Sequence, residues 1–185
     1  MIFPRSAIVS RHLTVLARVL PRPPPRPPSH ENENKGTSDS LGLVYEERTG
    51  DVNATLHLEK MDRRTKFTRG GLMIRAGIAS DAAQVSLLVD PDRGVTMYHR
   101  SNAGGHTESK NLGVMTEDVM LRLGKAGGTV RCLYRQIGAA GWIELGTATA
   151  TFGETFLVGR AMASGELGAH AQLTTGALII EPSVQ

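Results

Sequence analysis

The sequence predicts an all-β protein, a sandwich or barrel of antiparallel strands, and three observations carry that prediction. Apolar side chains alternate with polar ones at a period of two, as in "DVNATLHLE" (51–59), the pattern of a half-buried strand. Glycine is abundant, at 21 of 185 residues. The apolar runs are short and are punctuated by turn-forming clusters, as many strands joined by tight connections require.

The chain opens with "MIFPRSAIVSRHLTVLARVL" (1–20), which holds Arg, Ser and Thr but no acid. Ile8, Leu13, Leu16, Val19 and Leu20 fall at roughly helical spacing, which predicts a partly helical or disordered extension. Arg11, His12 and Arg18 interrupt the apolar run that a secretory leader needs. The pattern fits an organelle-targeting presequence better; an unstructured or misassigned start fits it equally. Residues 21–36 read as a linker. Seven of the nine prolines lie at or before Pro28, and "PRPPPRPP" lacks amide donors at most positions, so it extends as polyproline II rather than packing. A spacer is the common meaning of such a tract, and an SH3-type ligand is the alternative.

The folded domain is expected over 37–182. Its first strand is 41–46. In the second, "DVNATLHLE", Val52, Ala54, Leu56 and Leu58 point one way while Asn53, Thr55, His57 and Glu59 point the other. The third, 71–76, sets Leu72, Ile74 and Ala76 against Met73 and Arg75. "GIASDAAQ" (77–84) competes as a helix, but Gly77 and Ser80-Asp81 interrupt it, so it reads as a loop. Strands follow at 84–89 and 94–100, joined by the turn "DPDRG" (90–94). In the latter, Val95, Met97 and His99 oppose Thr96, Tyr98 and Arg100. If 71–76 and 94–100 are neighbours, Arg75, Tyr98 and Arg100 share one polar face. Otherwise Arg75 lies along the sheet with its head in water, or pairs with a nearby acid. Further strands are 118–123, 129–134, 142–150, 155–162 and 172–181, with turns at "GKAGG" (124–128) and "GAAG" (138–141).

Charge excludes one function class. Residues 1–36 hold six basic and two acidic side chains, a net of +4, and the remainder holds 15 and 16, a net of −1. The folded part therefore carries no electrostatic footprint for nucleic acid. With Cys132 as the single cysteine, neither an intrachain disulfide nor a multi-cysteine zinc site is available. In "VRCLY" it reads as a buried, inert thiol. No apolar run reaches the roughly 20 residues that span a bilayer.

The stretch "FTRGGLMIRAGIASDAAQVSLLVDPDRGVTMYHR" (67–100) resembles the signature of a group of concanavalin A-like jelly-roll domains. That signature is approximately Ala-Gly-hydrophobic-Met-Ile-Arg, then Ser-hydrophobic-Val-Thr-Pro-x-x-Gly-Val. The group includes the fungal regulation-of-enolase protein and domains of unknown function attached to secreted bacterial carbohydrate-active enzymes. Upstream, "GTSDSLGLVYEERTGDVNATLHL" resembles the family's Asp-x-hydrophobic-x-Phe-x-Tyr strand with its Gly-Asp turn. Downstream, "VMLRLGKAGGTVRCLYRQIGAAGWIELGTATATFGETFLVGRAMAS" resembles its final hairpins. The resemblance covers about 36–181 and implies an antiparallel two-sheet jelly-roll sandwich. Family members start roughly two strands earlier, and nothing in 1–36 matches those strands. Either "AIVSRHLTVLARVL" replaces them or a sheet edge is exposed. The Ser-x-Asp-Gly turn that usually precedes the tryptophan is "RQIGAAGW" here, with Trp142 kept and the Ser and Asp gone.

This fold class hosts glycoside hydrolases, and retaining hydrolysis needs two carboxylates roughly 5–5.5 Å apart. No Glu-x-Asp-x-x-Glu run exists. Glu46 and Glu47 face opposite sides, Asp51 reads as a turn cap, and Glu144 and Glu154 stand alone. A non-catalytic chain is the expectation. "GKAGG" lacks the phosphate-loop spacing. The six histidines, His12, His30, His57, His99, His106 and His170, show no metal-ligand spacing. Asp90 and Asp92 lack the rest of a calcium shell, so no cofactor or metal is expected. Recognition remains. Sugar binding combines an aromatic platform with polar side chains, for which Trp142, Tyr45, Tyr98, Tyr134, Arg75 and Arg100 are candidates. Protein recognition through the same face or the unmatched edge is the alternative.

Overall fold

Strands with one dry face bury it only against another sheet. The computed structural model describes residues 13–16, 36–62, 65, 67–111, 113, 118–164 and 171–183. Its strands are β1 (Leu13–Leu16), β2 (Gly42–Thr49), β3 (Val52–Met61), β4 (Arg69–Arg75), β5 (Gln84–Asp90) and β6 (Gly94–Arg100). They continue with β7 (Glu108–Asn111), β8 (Val119–Ala126), β9 (Thr129–Gln136), β10 (Ile143–Thr149), β11 (Thr155–Ala163) and β12 (Gln172–Pro182). Two six-stranded sheets result, a first in the order β1-β12-β3-β8-β9-β10 and a second in the order β2-β11-β4-β5-β6-β7. Neighbours are antiparallel throughout.

The core lies between the sheets. Ala54, Leu56 and Leu58 of β3, Leu121 and Leu123 of β8, and Cys132 of β9 meet Leu72 and Ile74 of β4, Val85 and Leu87 of β5, and Val158 of β11. In β3 and β4 these are the positions that alternation grouped on one apolar face. Polar ties close the ends. Arg160 reaches across the sandwich from β11, donating from Nε to Thr175 Oγ1 at 2.9 Å and from Nη2 to the Gly176 carbonyl at 3.1 Å. Lys125 is 5% exposed, donates to the Gly50 carbonyl at 3.0 Å and faces the Phe156 ring at 4.4 Å. Gly71 sits where a Cβ would come 2.2 Å from the Leu87 carbonyl oxygen, so the pairing of β4 with β5 needs glycine there.

Each expected strand from 41–46 onward is present, and 77–83 is a loop. Two strands escaped the pattern. β7 is the polar tetrapeptide ESKN at the edge of the second sheet, where a polar sequence guards against further pairing. β1 is a correction: within the segment read as helical, Leu13–Leu16 instead pairs antiparallel with β12. Backbone bonding to an available sheet edge overrides a weak helical spacing. The remaining presequence and linker readings in 1–35 lie outside the described residues. No helix among the described residues is long and apolar enough to cross a membrane.

Asp51, expected to cap its own turn, serves a different one. Its Oδ1 accepts from the Gly127 amide at 2.7 Å, so it pins the β8–β9 hairpin, whose Gly127 has φ 56°. Cys132 is fully buried, and desolvation, with a smaller push from the Glu144 charge, raises its thiol to about 12. Iodoacetamide at pH 8 is expected to label it only after unfolding, read by mass spectrometry. The folded state favours the protonated thiol, so the stabilisation is whole below the unfolded value of about 8.5 and falls as pH rises past it. Urea midpoints against pH check that sign. Leu56→Ala opens a hole between the sheets and is expected to cost roughly 2–5 kcal/mol in urea unfolding.

Candidate functional site

One face of the second sheet turns away from the core yet is buried. Met73, Arg75, Gln84, Ser86, Leu88, Thr96, Tyr98 and Arg100 all lie on it, none above 3% exposed. Register explains the grouping. Arg75 pairs with Gln84 and Gln84 with Arg100, while Met73 pairs with Ser86 and Ser86 with Tyr98. Strands β4 and β6 are therefore not neighbours; β5 lies between them, and two register steps keep Arg75, Tyr98 and Arg100 on one side. Tyr45 falls on the same row, opposite Gly159, which pairs onward to Met73.

The two arginines converge on one carboxylate. Arg75 Nη1 donates to Asp39 Oδ1 at 3.0 Å, and Arg100 Nη1 donates to Asp39 Oδ2 at 3.1 Å. The side chains are 3%, 0% and 5% exposed, in the order Arg75, Arg100, Asp39. Loop carbonyls take further bonds from both guanidinium groups, with Arg100 Nη1 sharing its two hydrogens among Asp39, Ser80 and Ala82. Arg75 donates from Nε to Gly77 at 2.7 Å and from Nη2 to Ala79. Arg100 donates to the Ser80 and Ala82 carbonyls, each at 3.1 Å, and to Thr107 Oγ1 at 2.9 Å.

Asp39 arrives on a strap. Gly36 accepts from the Thr107 amide and hydroxyl beside β7, and Gly42 begins β2 at the opposite edge of the sheet. Residues 36–41 thus cross the outer face. Next to the arginines the face is dry: Met73, Leu88, Tyr98 and Ala161 cluster, with Leu41 and Leu43 packed on them. The Tyr98 hydroxyl accepts from Arg69 Nη1 at 3.0 Å and donates to Asp90 Oδ2 at 3.2 Å. Burial, foremost, raises the Tyr98 pKa, with Arg69 opposing and Asp90 adding to the shift.

Three buried polar atoms on this face have no hydrogen-bond partner: Gln84 Oε1, Ser86 Oγ and Arg100 Nε. Gln84 lies directly opposite Arg100, and Ser86, opposite Tyr98, is two residues along the same strand. A buried polar group left without any partner costs about 1–3 kcal/mol, and of the five atoms among the described residues that lack a protein partner, three lie on this face, with His99 Nδ1 and Arg135 Nε elsewhere.

The expected site residues divide between the sheets. Arg75, Tyr98, Arg100 and Tyr45 share the outer face of the second sheet, with Tyr45 exposed at its margin. Tyr134 is core. Trp142 belongs to the first sheet, where Arg122 stacks on its ring at 4.2 Å and Arg135 lies 5.1 Å from the ring centre. Asp39, Gln84 and Ser86 were not anticipated. The alternation of "QVSLLV" already set Gln84 and Ser86 opposite Val85 and Leu87, a signal for the outer face. Nothing local to Asp39 marks it, because its partners lie 36 and 61 positions away. Among the described residues no three His, Cys, Asp or Glu side chains gather closely enough to hold a metal ion.

Neither a protein-family model nor a curated protein matches the sequence. Solved structures do. A functionally unknown protein from Saccharomyces cerevisiae superposes with a TM-score of 0.64 at 15% identity, covering 80% of this chain and 77% of that one. A mutant of the GH43 protein BlXynB from Bacillus licheniformis gives 0.61 at 13%, covering 79% of this chain but 30% of the other. The carbohydrate binding module CBM66 from Bacillus subtilis gives 0.51 at 13%, covering 78% and 82%. At such identities the likeness shows the fold alone, an antiparallel two-sheet jelly-roll sandwich.

Two substitutions separate the roles on this face. Arg100→Ala strips a partner from buried Asp39 and is expected to cost about 3–5 kcal/mol. Ser86→Ala removes a hydroxyl that binds nothing, so its urea midpoint should stay level or rise by up to about 1 kcal/mol equivalent.

Proposed function

We propose that this chain is a non-catalytic β-sandwich binding module whose ligand is carbohydrate, held on the outer face of the second sheet. The observation that carries the reading is the trio Gln84 Oε1, Ser86 Oγ and Arg100 Nε, unpartnered beside the Tyr98 ring. An acceptor, a hydroxyl and a cationic donor on one face suit the vicinal hydroxyls of a sugar, and an aromatic neighbour suits its C–H face. Likeness to a carbohydrate binding module supports the ligand class. The acids of the face support the absence of catalysis. Both oxygens of Asp39 are taken by arginines, and those of Asp90 by Tyr98 and the Asp92 amide. Neither is left to act as acid or nucleophile. Membership of the regulation-of-enolase group belongs to the same proposal and rests on the sequence resemblance.

A second reading, protein recognition, is favoured by one patch. On the outer side of the first sheet Arg122 and Arg135 lie against Trp142, and Ile137, two residues past Arg135, is 48% exposed. Tryptophan and arginine with an exposed apolar side chain is the composition of an interface anchor.

A glycan array probed with the wild-type chain, Ser86→Ala, Gln84→Ala and Trp142→Ala decides between them. The sugar reading expects Ser86→Ala and Gln84→Ala to fold normally yet lose about tenfold or more in affinity, with Trp142→Ala unaffected. Glycan binding lost only in Trp142→Ala would move the site to the first sheet. Reducing-sugar release from a polysaccharide panel is expected to be nil, and any turnover would end the non-catalytic assignment.

A further inference from the structure

The same site holds a second message in its strap. We infer that Asp39 is a built-in occupant of a carboxylate-binding site, and that the ligand of the outer face is a sugar bearing a carboxylate, which displaces residues 36–41. This rests on the carbohydrate reading and narrows it to acidic sugars.

The arginine pair does not need Asp39 to keep its shape. Arg75 stays anchored on the Gly77 and Ala79 carbonyls, and Arg100 on Ser80, Ala82 and Thr107. The guanidinium positions are therefore preorganised: without the aspartate, Arg75 Nη1 keeps an N–H for an incoming carboxylate, and Arg100 Nη1 stays beside it on the Ser80 and Ala82 carbonyls. It also cannot stay empty, because buried guanidinium charge requires an anion. Exchange of one carboxylate for another preserves that charge balance.

The strap is built to let go. Gly36, Thr37, Ser38 and Ser40 are exposed, and none of the segment is strand. Besides the arginine contacts it is tied by the Asp39 amide to the Ser80 carbonyl at 2.8 Å, by Gly36 to Thr107, and by Leu41 packing on the Met73, Leu88, Tyr98 and Ala161 cluster. With four of its six residues exposed, the segment is held chiefly by the Asp39 carboxylate and Leu41, so Asp39 is its latch. A purely structural latch would leave its surroundings satisfied. Here Gln84 Oε1, Ser86 Oγ and Arg100 Nε lie unpartnered alongside. A uronic acid presents a carboxylate with ring hydroxyls next to it, and fills both halves at once.

Because Asp39 is tethered, it competes at an effective concentration of roughly millimolar. Wild-type affinity for an acidic sugar is then reduced by the fraction of chains whose strap is closed. The experiment measures trigalacturonate and cellotriose binding to the full chain, wild-type and Asp39→Ala, by calorimetry at matched ionic strength. Trigalacturonate is expected to bind Asp39→Ala at least about tenfold more tightly than wild type, with no such gain for cellotriose. If Asp39→Ala does not fold, hydrogen exchange on the wild-type chain takes its place: saturating trigalacturonate should speed exchange at the Asp39 amide. Equal affinity for both proteins, or an Asp39 amide as protected with ligand as without, overturns the inference. Binding of cellotriose and trigalacturonate alike, lost in Ser86→Ala, overturns it while leaving the carbohydrate reading intact. Acetate taken up by Asp39→Ala as tightly as trigalacturonate would keep the displaceable latch and remove the sugar.

Discussion

Two guanidinium groups on strands that do not touch share one carboxylate, and much of the second sheet is organised around that triad. Burying three ionised groups is costly unless each finds its partners. The chain meets the condition by folding the 77–82 loop over the strand ends, so that its carbonyls face Arg75 and Arg100. It then brings the entry segment across the face to deliver Asp39. One interaction joins β4, β6, the β4–β5 loop and the approach to β2. Position, not a regular element, holds it together.

The consequence is a sandwich with unequal sides. Strands β4 and β5 are buried at every residue, and β6 at all but His99. They are dry on both faces, as strands covered on both sides must be. The first sheet keeps the ordinary division, with His57 and Arg122 half-buried outside and Leu56 and Leu121 inside. A ligand for the second sheet must therefore replace something already bound there. A partner for the first sheet would meet an open surface. The two readings of function differ in this physical sense, since one is an exchange and the other an addition.

Much of the architecture was legible because it depends on short-range order. The period of two in β3, the Asp-Pro-Asp-Arg-Gly turn before β6 and the glycines of the β8–β9 hairpin act over a few residues. Strand β7 was not legible because ESKN has no dry side to reveal it. Strand β1 was not legible because its pairing depends on β12, more than 150 positions later. The site was half legible. Alternation offered one face for Arg75, Tyr98 and Arg100 on the condition that their strands adjoin; they do not, yet an intervening strand in register preserves the side. Trp142 was grouped with them on chemistry alone, and chemistry carries no information about which sheet a residue joins.

Taken by itself, the sequence determined the all-β class, the boundaries of ten of the twelve strands to within a few residues, the dry faces of β3 and β4, and the burial of Cys132. These follow from side-chain period and turn chemistry, which are local. Tertiary structure alone decided that Asp39 would sit between Arg75 and Arg100, that Gln84 and Ser86 would be buried without partners, and that Trp142 would face away from them. Each depends on sheet order and on a strap laid over a finished surface. Contacts between residues tens of positions apart leave no periodic trace along the chain.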